Sequence, residues 1–416
     1  MNANFTRRTI KFMNYKKNKM KKQSRVQCTA NRLNNKLKLD QIFILTFYFK
    51  LLRHFSRIRV ISMTLCIILV SLSSFQPSDE IFRLIIAKAS KLNSRNSESD
   101  IIKLNNGDLL LGWTEFYAGN GADDGSARIV GRISKDGGRS WGDKYTLVEH
   151  TDALNVMEVS FLRLKDGSIA IFYFKKIREA VFILPSYKVD LTKPGDCRLM
   201  MRVSKDEGKS FVDPKQITGP DRYLESANGR SLRLKSGRIL IEIDNMESSA
   251  CIYSDDDGNS WREGQFVKPA AGASFEPIAV ELKDGRVMMF MRTTLGGQYQ
   301  TISNNGGETW SEPSLSVFKG SGSPMAIERI PNTGDLIAVW NNDLGSPRAR
   351  TPLTATISKD DGKTWGNFRN IENSTTDGFT YPAITWVNDT ALITYFNYTG
   401  GMSLNLAGIP LKWFYE

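Results

Sequence analysis

The sequence predicts an all-β protein, a six-bladed β-propeller carrying five Asp-box repeats and preceded by a basic and apolar leader. Three observations predict it. A phrase of the form Ser-x-Asp-x-Gly-x-Ser/Thr-aromatic occurs at residues 134–141, 204–211, 254–261, 303–310 and 358–365, with Asn305 replacing the Asp once and Phe211 replacing the Trp once. The copies are 70, 50, 49 and 55 residues apart, the period of a supersecondary unit too small to bury its own apolar face. Between them run six hairpins of alternating apolar residues about a tight turn, so each unit holds about four strands, and a closed ring of such units leaves few exposed edges.

The leader accounts for the charge. The chain has 416 residues and a formal net charge of +12, but of its 56 basic and 44 acidic residues, 16 and one (Asp40) lie within residues 1–60, which leaves 40 and 43 beyond. The body is nearly neutral, so no nucleic-acid partner is expected. Apolar stretches at 41–52 and 60–75 are shorter than the roughly 18–20 residues of a membrane span. Residues 60–75, preceded by Arg57 and Arg59, have the basic-then-apolar form of a secretory signal or signal anchor, with Met20 or Met63 as alternative starts. The expectation is a secreted, periplasmic or membrane-tethered protein, with a cytoplasmic tail as the alternative. Residues 1–85 are read as leader and 86–416 as propeller.

Cysteine and histidine are scarce. Cys28 and Cys66 lie in the leader; Cys197 and Cys251 are spaced so that pairing is open, and no Cys-x-x-Cys site exists. His54 is in the leader and His150 stands alone in the body, which excludes most Ser-His-Asp, Cys-His and His-ligated metal chemistry. Catalysis would run on carboxylates, Tyr, Lys or Arg, and no cofactor is expected.

Taken in order, the hairpins turn at Gly107, Gly167, Gly237, Gly285 and Gly334, and a sixth turns at Asn388-Asp389-Thr390. Asp-Gly between alternating apolar runs marks a turn that needs positive φ. Each hairpin but the last is followed by an Asp-box. In the box the Asp accepts backbone N–H bonds within its turn, the Gly takes the left-handed position and the aromatic packs between sheets. These Asp residues are therefore structural. Residues 402–416 have strand character without a box and are expected to complete blade six with 81–87.

The repeat also serves as a ruler. Nine residues before Gly107, Gly167, Gly237 and Gly285 the inner strand begins, where side chains face the central funnel. That position holds Glu98, Glu158, Asn228 and Glu276, and Tyr381 when counted from Thr390. Polar residues recurring at one offset before apolar strands point to a functional constellation, because buried charge without partners is costly.

The Asp-boxes and this constellation resemble the sialidase superfamily over roughly residues 90–416. The stretch from Glu276 to Arg292 is similar to the one that carries the sialidase Glu and an arginine at the strand end. Arg350, before the fifth box, looks like a second arginine of the carboxylate clamp, with Arg348 as competitor. Tyr381 falls where the nucleophile is expected, and Asp123, with Asp124 as substitute, where the acid/base is expected. The resemblance implies a retaining exo-α-sialidase-like glycoside hydrolase in which Tyr381 attacks, Glu276 takes its proton and Asp123 serves the leaving group. Substrate contacts would come from Arg95, Arg292, Arg350, Glu98, Glu158, Asn228 and Arg230. Asp196 and Arg198, in the 183–200 insertion, would overhang the site. A neutral Tyr suits a substrate whose anomeric carbon bears a carboxylate, and sialidases are the known Tyr exception among glycosidases; arginines hold carboxylates through a fixed fork.

Blade one departs from the pattern. Sialidases begin it with Arg-Ile-Pro, whereas Ser97 stands at the arginine's offset here and Arg95 is the nearest base, expected to arrive through a bulge. Glu98 is then its orienting partner or a contact to sugar hydroxyls. The expected partners are sialylated or other acidic glycans. The alternatives are a hydrolase or lyase for a uronate-containing glycan, and a non-catalytic glycan-binding propeller.

Overall fold

Alternating apolar residues on either side of each tight turn form six four-stranded antiparallel sheets in the computed structural model. It describes residues 80–416 apart from 118, 184–187, 191, 194, 344–349 and 398–400. Residues 1–79 of the expected leader, with Cys28, Cys66 and His54, and Arg348 lie outside the described residues. From the funnel outward, blade one consists of Arg95–Lys103, Leu109–Phe116, Ala127–Ser134 and Tyr145–Val148. Blade two consists of Asn155–Arg163, Ile169–Arg178, Asp196–Ser204 and Lys215–Gln216, and blade three of Ser231–Arg233, Ile239–Asp244, Ser249–Ser254 and Arg262–Glu263. Phe275–Glu281, Val287–Arg292, Gly297–Ser303 and Ser314–Lys319 form blade four. Blade five is Ala326–Arg329, Leu336–Asn341, Leu353–Ser358 and Gly366–Glu372. Among the described residues the helical structure is one 3₁₀ turn, Leu411–Phe414.

Blade six joins the two ends of the described chain. Its inner strands are Phe379–Val387 and Thr390–Asn397, its third is Leu404–Pro410, and its outer strand is Phe82–Ala87, paired from Phe82↔Gly408 to Ala87↔Leu404. The propeller thus includes residues 82–85, ahead of the boundary expected at 86. Apolar clusters fill the spaces between neighbouring blades, as where Leu110 and Ile129 of blade one meet Phe161 and Ile171 of blade two. The ring closes where Leu109 and Leu111 of blade one meet Leu392 and Leu406 of blade six.

The five boxes share one hydrogen-bond scheme between third and outer strands. Ser140 N, Ser210 N, Ser260 N and Thr364 N donate to Oδ1 of Asp136, Asp206, Asp256 and Asp360 at 2.8–2.9 Å. Thr309 N donates to Asn305 Oδ1 at 3.0 Å, so Asn substitutes for Asp without changing the turn. The box aromatics pack between sheets: Trp261 meets Phe172 of blade two edge-on at 5.7 Å and Trp365 meets Phe318 of blade four at 4.9 Å.

Cys197 and Cys251 do not pair; both are buried free thiols. Cys197 packs in the core between blades two and three, whereas Cys251 faces the core between blades three and four, so the sheet of blade three separates them.

Candidate active site

Four of the five residues at the repeated offset share an unusual backbone. Glu98, Glu158, Glu276 and Tyr381 have φ of 45°, 63°, 40° and 54°. Each falls at a break in the pairing of its inner strand, between Ser97 and Ser99, Met157 and Ser160, Phe275 and Ile278, and Thr380 and Ala383. A bulge of this kind re-aims one side chain, here into the funnel, at a cost of roughly 1–3 kcal/mol per left-handed residue. At the fifth position Gly229, next to Asn228, takes the left-handed conformation, with φ of 65°. The preceding blade secures two of these bulges, since Glu158 N donates to Thr114 Oγ1 at 3.0 Å and Glu276 N to Asp244 Oδ2 at 2.7 Å.

The bulges bring Glu276 and Tyr381 together from blades four and six. Tyr381 Oη donates to Glu276 Oε1, and Arg292 Nη1 donates to Glu276 Oε2 at 2.5 Å. Arg350 donates from Nη1 to Thr380 Oγ1 at 3.1 Å, and its Cζ lies 6.0 Å from the centre of the Tyr381 ring. Phe396 stacks on Tyr381 at 5.5 Å. Burial pushes the Tyr381 hydroxyl well above its ordinary value and Glu276 adds to this against Arg292 and Arg350, so the phenol is neutral at rest. Burial opposes the charge on Arg292, but the Glu276 carboxylate outweighs it and the guanidinium stays protonated.

Arg95 reaches the same cluster as an ordinary strand residue opposite Phe116; the bulge expected at Arg95 falls at Glu98. Its guanidinium is packed 4.6 Å from the Phe116 ring and 5.4 Å from that of Phe396, the ring that stacks on Tyr381. It donates to Ser97 Oγ at 2.7 Å, to Asp123 Oδ1 at 2.5 Å and to Glu98 Oε1. Glu98 is buried and accepts from Ser97 Oγ at 2.5 Å, so it acts as the partner of Arg95. Asp123, on the loop between the second and third strands of blade one, keeps 63% of its side chain exposed. Burial pushes its carboxyl up, but Arg95, Lys176 and Arg292 outweigh this and hold it below the usual range. Asp124 is exposed.

The remaining expected residues line the wall. Glu158 is buried and accepts from Ser226 N at 3.2 Å; burial, with Glu225, Glu98 and Glu276 nearby, pushes it well above the carboxylate range. Asn228 donates to Ser99 O of blade one at 2.6 Å, and Arg230 to Met325 O before the inner strand of blade five at 3.0 Å, so both span the ring. Asp196 and Arg198, expected to overhang the site from an insertion, instead begin the third strand of blade two, where they pair with each other at 2.6 Å. Sequence reasoning missed Lys176, Glu225 and Asp244. Asp244 follows the alternation of its strand to the mouth, beside Glu276, and Lys176 occupies a position set by Phe172 and Phe174. Among the described residues no group of three or more His, Cys, Asp or Glu is arranged to hold a metal ion.

Fold and site together define a class: a six-bladed Asp-box propeller whose funnel holds a Tyr–Glu pair amid three arginines. Residues 173–394 match the BNR repeat-like domain, more than half of the chain, and the chain belongs to that family, within the sialidase superfamily. It is 26% identical over 298 residues to a sialidase of Micromonospora viridifaciens, covering 62% of this chain and 43% of that protein. To an anhydrosialidase of Macrobdella decora it is 31% identical over 124 residues, 27% of this chain and 16% of that protein. The chain thus spans less than half the length of the curated relatives it matches. Similar solved structures include the intramolecular trans-sialidase of Ruminococcus gnavus, with a TM-score of 0.63 at 14% identity, covering 80% of this chain and 98% of that one. The Trypanosoma rangeli sialidase has a TM-score of 0.63 at 14% identity, covering 79% and 59%. At these identities the likeness is one of fold.

Proposed function

We propose that the chain is a retaining exo-glycoside hydrolase that releases a terminal sialic acid or a related acidic sugar. One observation carries this reading: the Tyr381 hydroxyl donates to Glu276, with Arg292, Arg350 and Arg95 gathered around it. The names of the relatives, sialidase and anhydrosialidase, support it. The arginines hold the substrate carboxylate and place the anomeric carbon over Tyr381 Oη. Tyr381 attacks that carbon while Glu276 takes the phenol proton, and Asp123 gives its proton to the departing glycosidic oxygen. Asp123 then takes a proton from water, whose oxygen attacks the face that the leaving group vacated and displaces Tyr381, and the phenol recovers its proton from Glu276. Two inversions retain the configuration.

Without substrate, Asp123 is an ionised carboxylate, held so in part by Arg95. A substrate carboxylate drawn to the same arginines brings a negative charge that opposes this lowering, which favours the protonated acid when substrate is bound.

A second reading, a hydrolase or lyase for another acidic unit such as a uronate, is favoured by the engagement of Arg95 with Glu98, Asp123 and Ser97. A clamp arginine already bound to two carboxylates is a weaker holder of a third. Turnover of a fluorogenic α-sialoside by the wild type but not by Tyr381→Phe is the expected result. Turnover by neither would sink the sialidase reading, and a thermal shift with a transition-state analogue but no hydrolysis would favour a glycan-binding propeller.

A further inference from the structure

The loop that carries Asp123 is bound from the next blade. Asn155, the first residue of blade two's inner strand, donates from Nδ2 to the carbonyl oxygens of Asp123 at 2.7 Å and Gly125 at 3.0 Å. Lys176, its direct partner on the second strand, brings Nζ to 3.3 Å from the same Asp123 carbonyl. Both side chains are buried, whereas residues 122–124 are exposed.

Lys176 stands where an apolar residue would ordinarily pack. Phe172, Phe174 and Lys176 share one face by strand alternation, and the two phenylalanines belong to the core between blades two and three. A buried ammonium costs several kcal/mol in lost hydration, which an apolar side chain would avoid. Here the cost is offset by the Glu179 carboxylate at 3.1 Å and by the Tyr223 ring, 5.4 Å from Nζ, whose hydroxyl donates to Glu179 at 3.2 Å. These groups hold the charge beside Asp123.

We propose that Lys176 and Asn155 form a positioning pair that fixes the Asp123 loop, with Lys176 holding a positive charge against the loop's backbone. The kinetic part rests on Asp123 being the acid/base of the proposed function. The charged and titratable groups facing Asp123 are Arg95 and Glu98 from blade one, Lys176 from blade two, Glu225 from the segment before blade three's inner strand, and Arg292 from blade four. Those facing Lys176 are Glu179, Cys197, Glu158, Tyr223 and Glu225, besides Asp123. Burial raises the Asp123 carboxyl while Arg95, Lys176 and Arg292 bring it down. Removing Lys176 therefore raises it and moves the loss of its acid form to higher pH.

The test uses the full chain and the variants Lys176→Met, Asn155→Ala and Lys176→Arg. Hydrogen–deuterium exchange of peptides covering 119–126 is expected to quicken at least tenfold in Lys176→Met and Asn155→Ala, and to stay near wild type in Lys176→Arg. On an α-sialoside of an aliphatic alcohol, whose oxygen needs a proton to leave, Lys176→Met should lose about 10–100-fold in kcat/KM, in line with the worth of general acid catalysis and orientation. On a 4-nitrophenyl α-sialoside, whose leaving group needs little help, the loss should stay under about threefold, because only the acid step is weakened. The alkaline limb of the aliphatic-substrate profile should move to higher pH. Unchanged exchange in the loop overturns the positioning, and equal losses on the two substrates overturn the link to the acid. A wild type inactive on both overturns the proposed function, whereas loop exchange still decides the pairing. Should Lys176→Met lose its cooperative melt, Asn155→Ala against Lys176→Arg decides by the same readouts.

Discussion

Glu276→Gln removes a base while keeping its shape, which makes it the most informative change to the proposed site. Gln at this position can still accept the Tyr381 hydroxyl, so the ring should hold its place against Phe396. What is lost is the negative charge that takes the phenol proton and pairs with Arg292. A positioned general base contributes about 10²–10⁴ in rate, or about 2.7–5.4 kcal/mol of barrier at 1.36 kcal/mol per tenfold. Folding should suffer less. The Arg292 side chain is 25% exposed and water can replace part of what the carboxylate gave it, so the destabilisation should be about 1–3 kcal/mol, the cost of one unsatisfied partner. The assay pairs steady-state kinetics on a fluorogenic α-sialoside between pH 4 and 8 with thermal unfolding at each pH. A kcat/KM down by at least a hundredfold with a cooperative, slightly lowered melt is the expected pattern. Activity within fivefold of wild type would refute the assignment of Glu276 as the base, as would a loss that merely follows the unfolded fraction.

Other expectations come from the same geometry. Arg350→Ala removes a charged contact worth about 1.5–3 kcal/mol, so kcat/KM should fall roughly 10–150-fold, read by kinetics beside an unchanged melting curve. Asp136→Asn should leave activity untouched and cost under about 1 kcal/mol, since Asn305 already makes the same turn, bonding Thr309 through both N–H and hydroxyl; differential scanning calorimetry measures it. Glu242 is buried, with Oε1 accepting from Ala279 N at 3.2 Å, and burial pushes its carboxyl up to about 7. Because the folded value is raised, its contribution to stability is complete below the unfolded value near 4.3 and is lost as pH rises to about 7, by about 4 kcal/mol at 1.36 kcal/mol per unit. Glu242→Gln should flatten that part of the stability–pH curve from urea unfolding at pH 5 and 8; an unchanged slope would refute the burial of a titrating carboxyl there.

The ring was legible in the sequence because its parts are local. A box needs only Ser, Asp, Gly and an aromatic at fixed offsets to close its own turn, and a hairpin needs only alternation and a residue that accepts positive φ. Both signals survive without knowledge of any distant residue. The offset from the hairpin turn led to Glu98, Glu158, Glu276 and Tyr381 for the same reason: a bulge repeated in blades one, two, four and six is a local event with a fixed register. The sequence left the pairing of Cys197 with Cys251 open, because which core a side chain enters depends on the face of blade three that lies between them.

What the tertiary structure decided is pairing across blades. Tyr381 donating to Glu276 and Lys176 reaching the Asp123 carbonyl join residues of different blades, 105 and 53 positions apart, and Arg95 binding Asp123 joins a strand to a loop 28 positions further on. In sequence Lys176 is one of two lysines ending a strand, indistinguishable from a solvated pair. Only when blade two is set between blades one and three does alternation turn that ammonium inward, where a low-dielectric wall and the carbonyl of another blade give its charge a role.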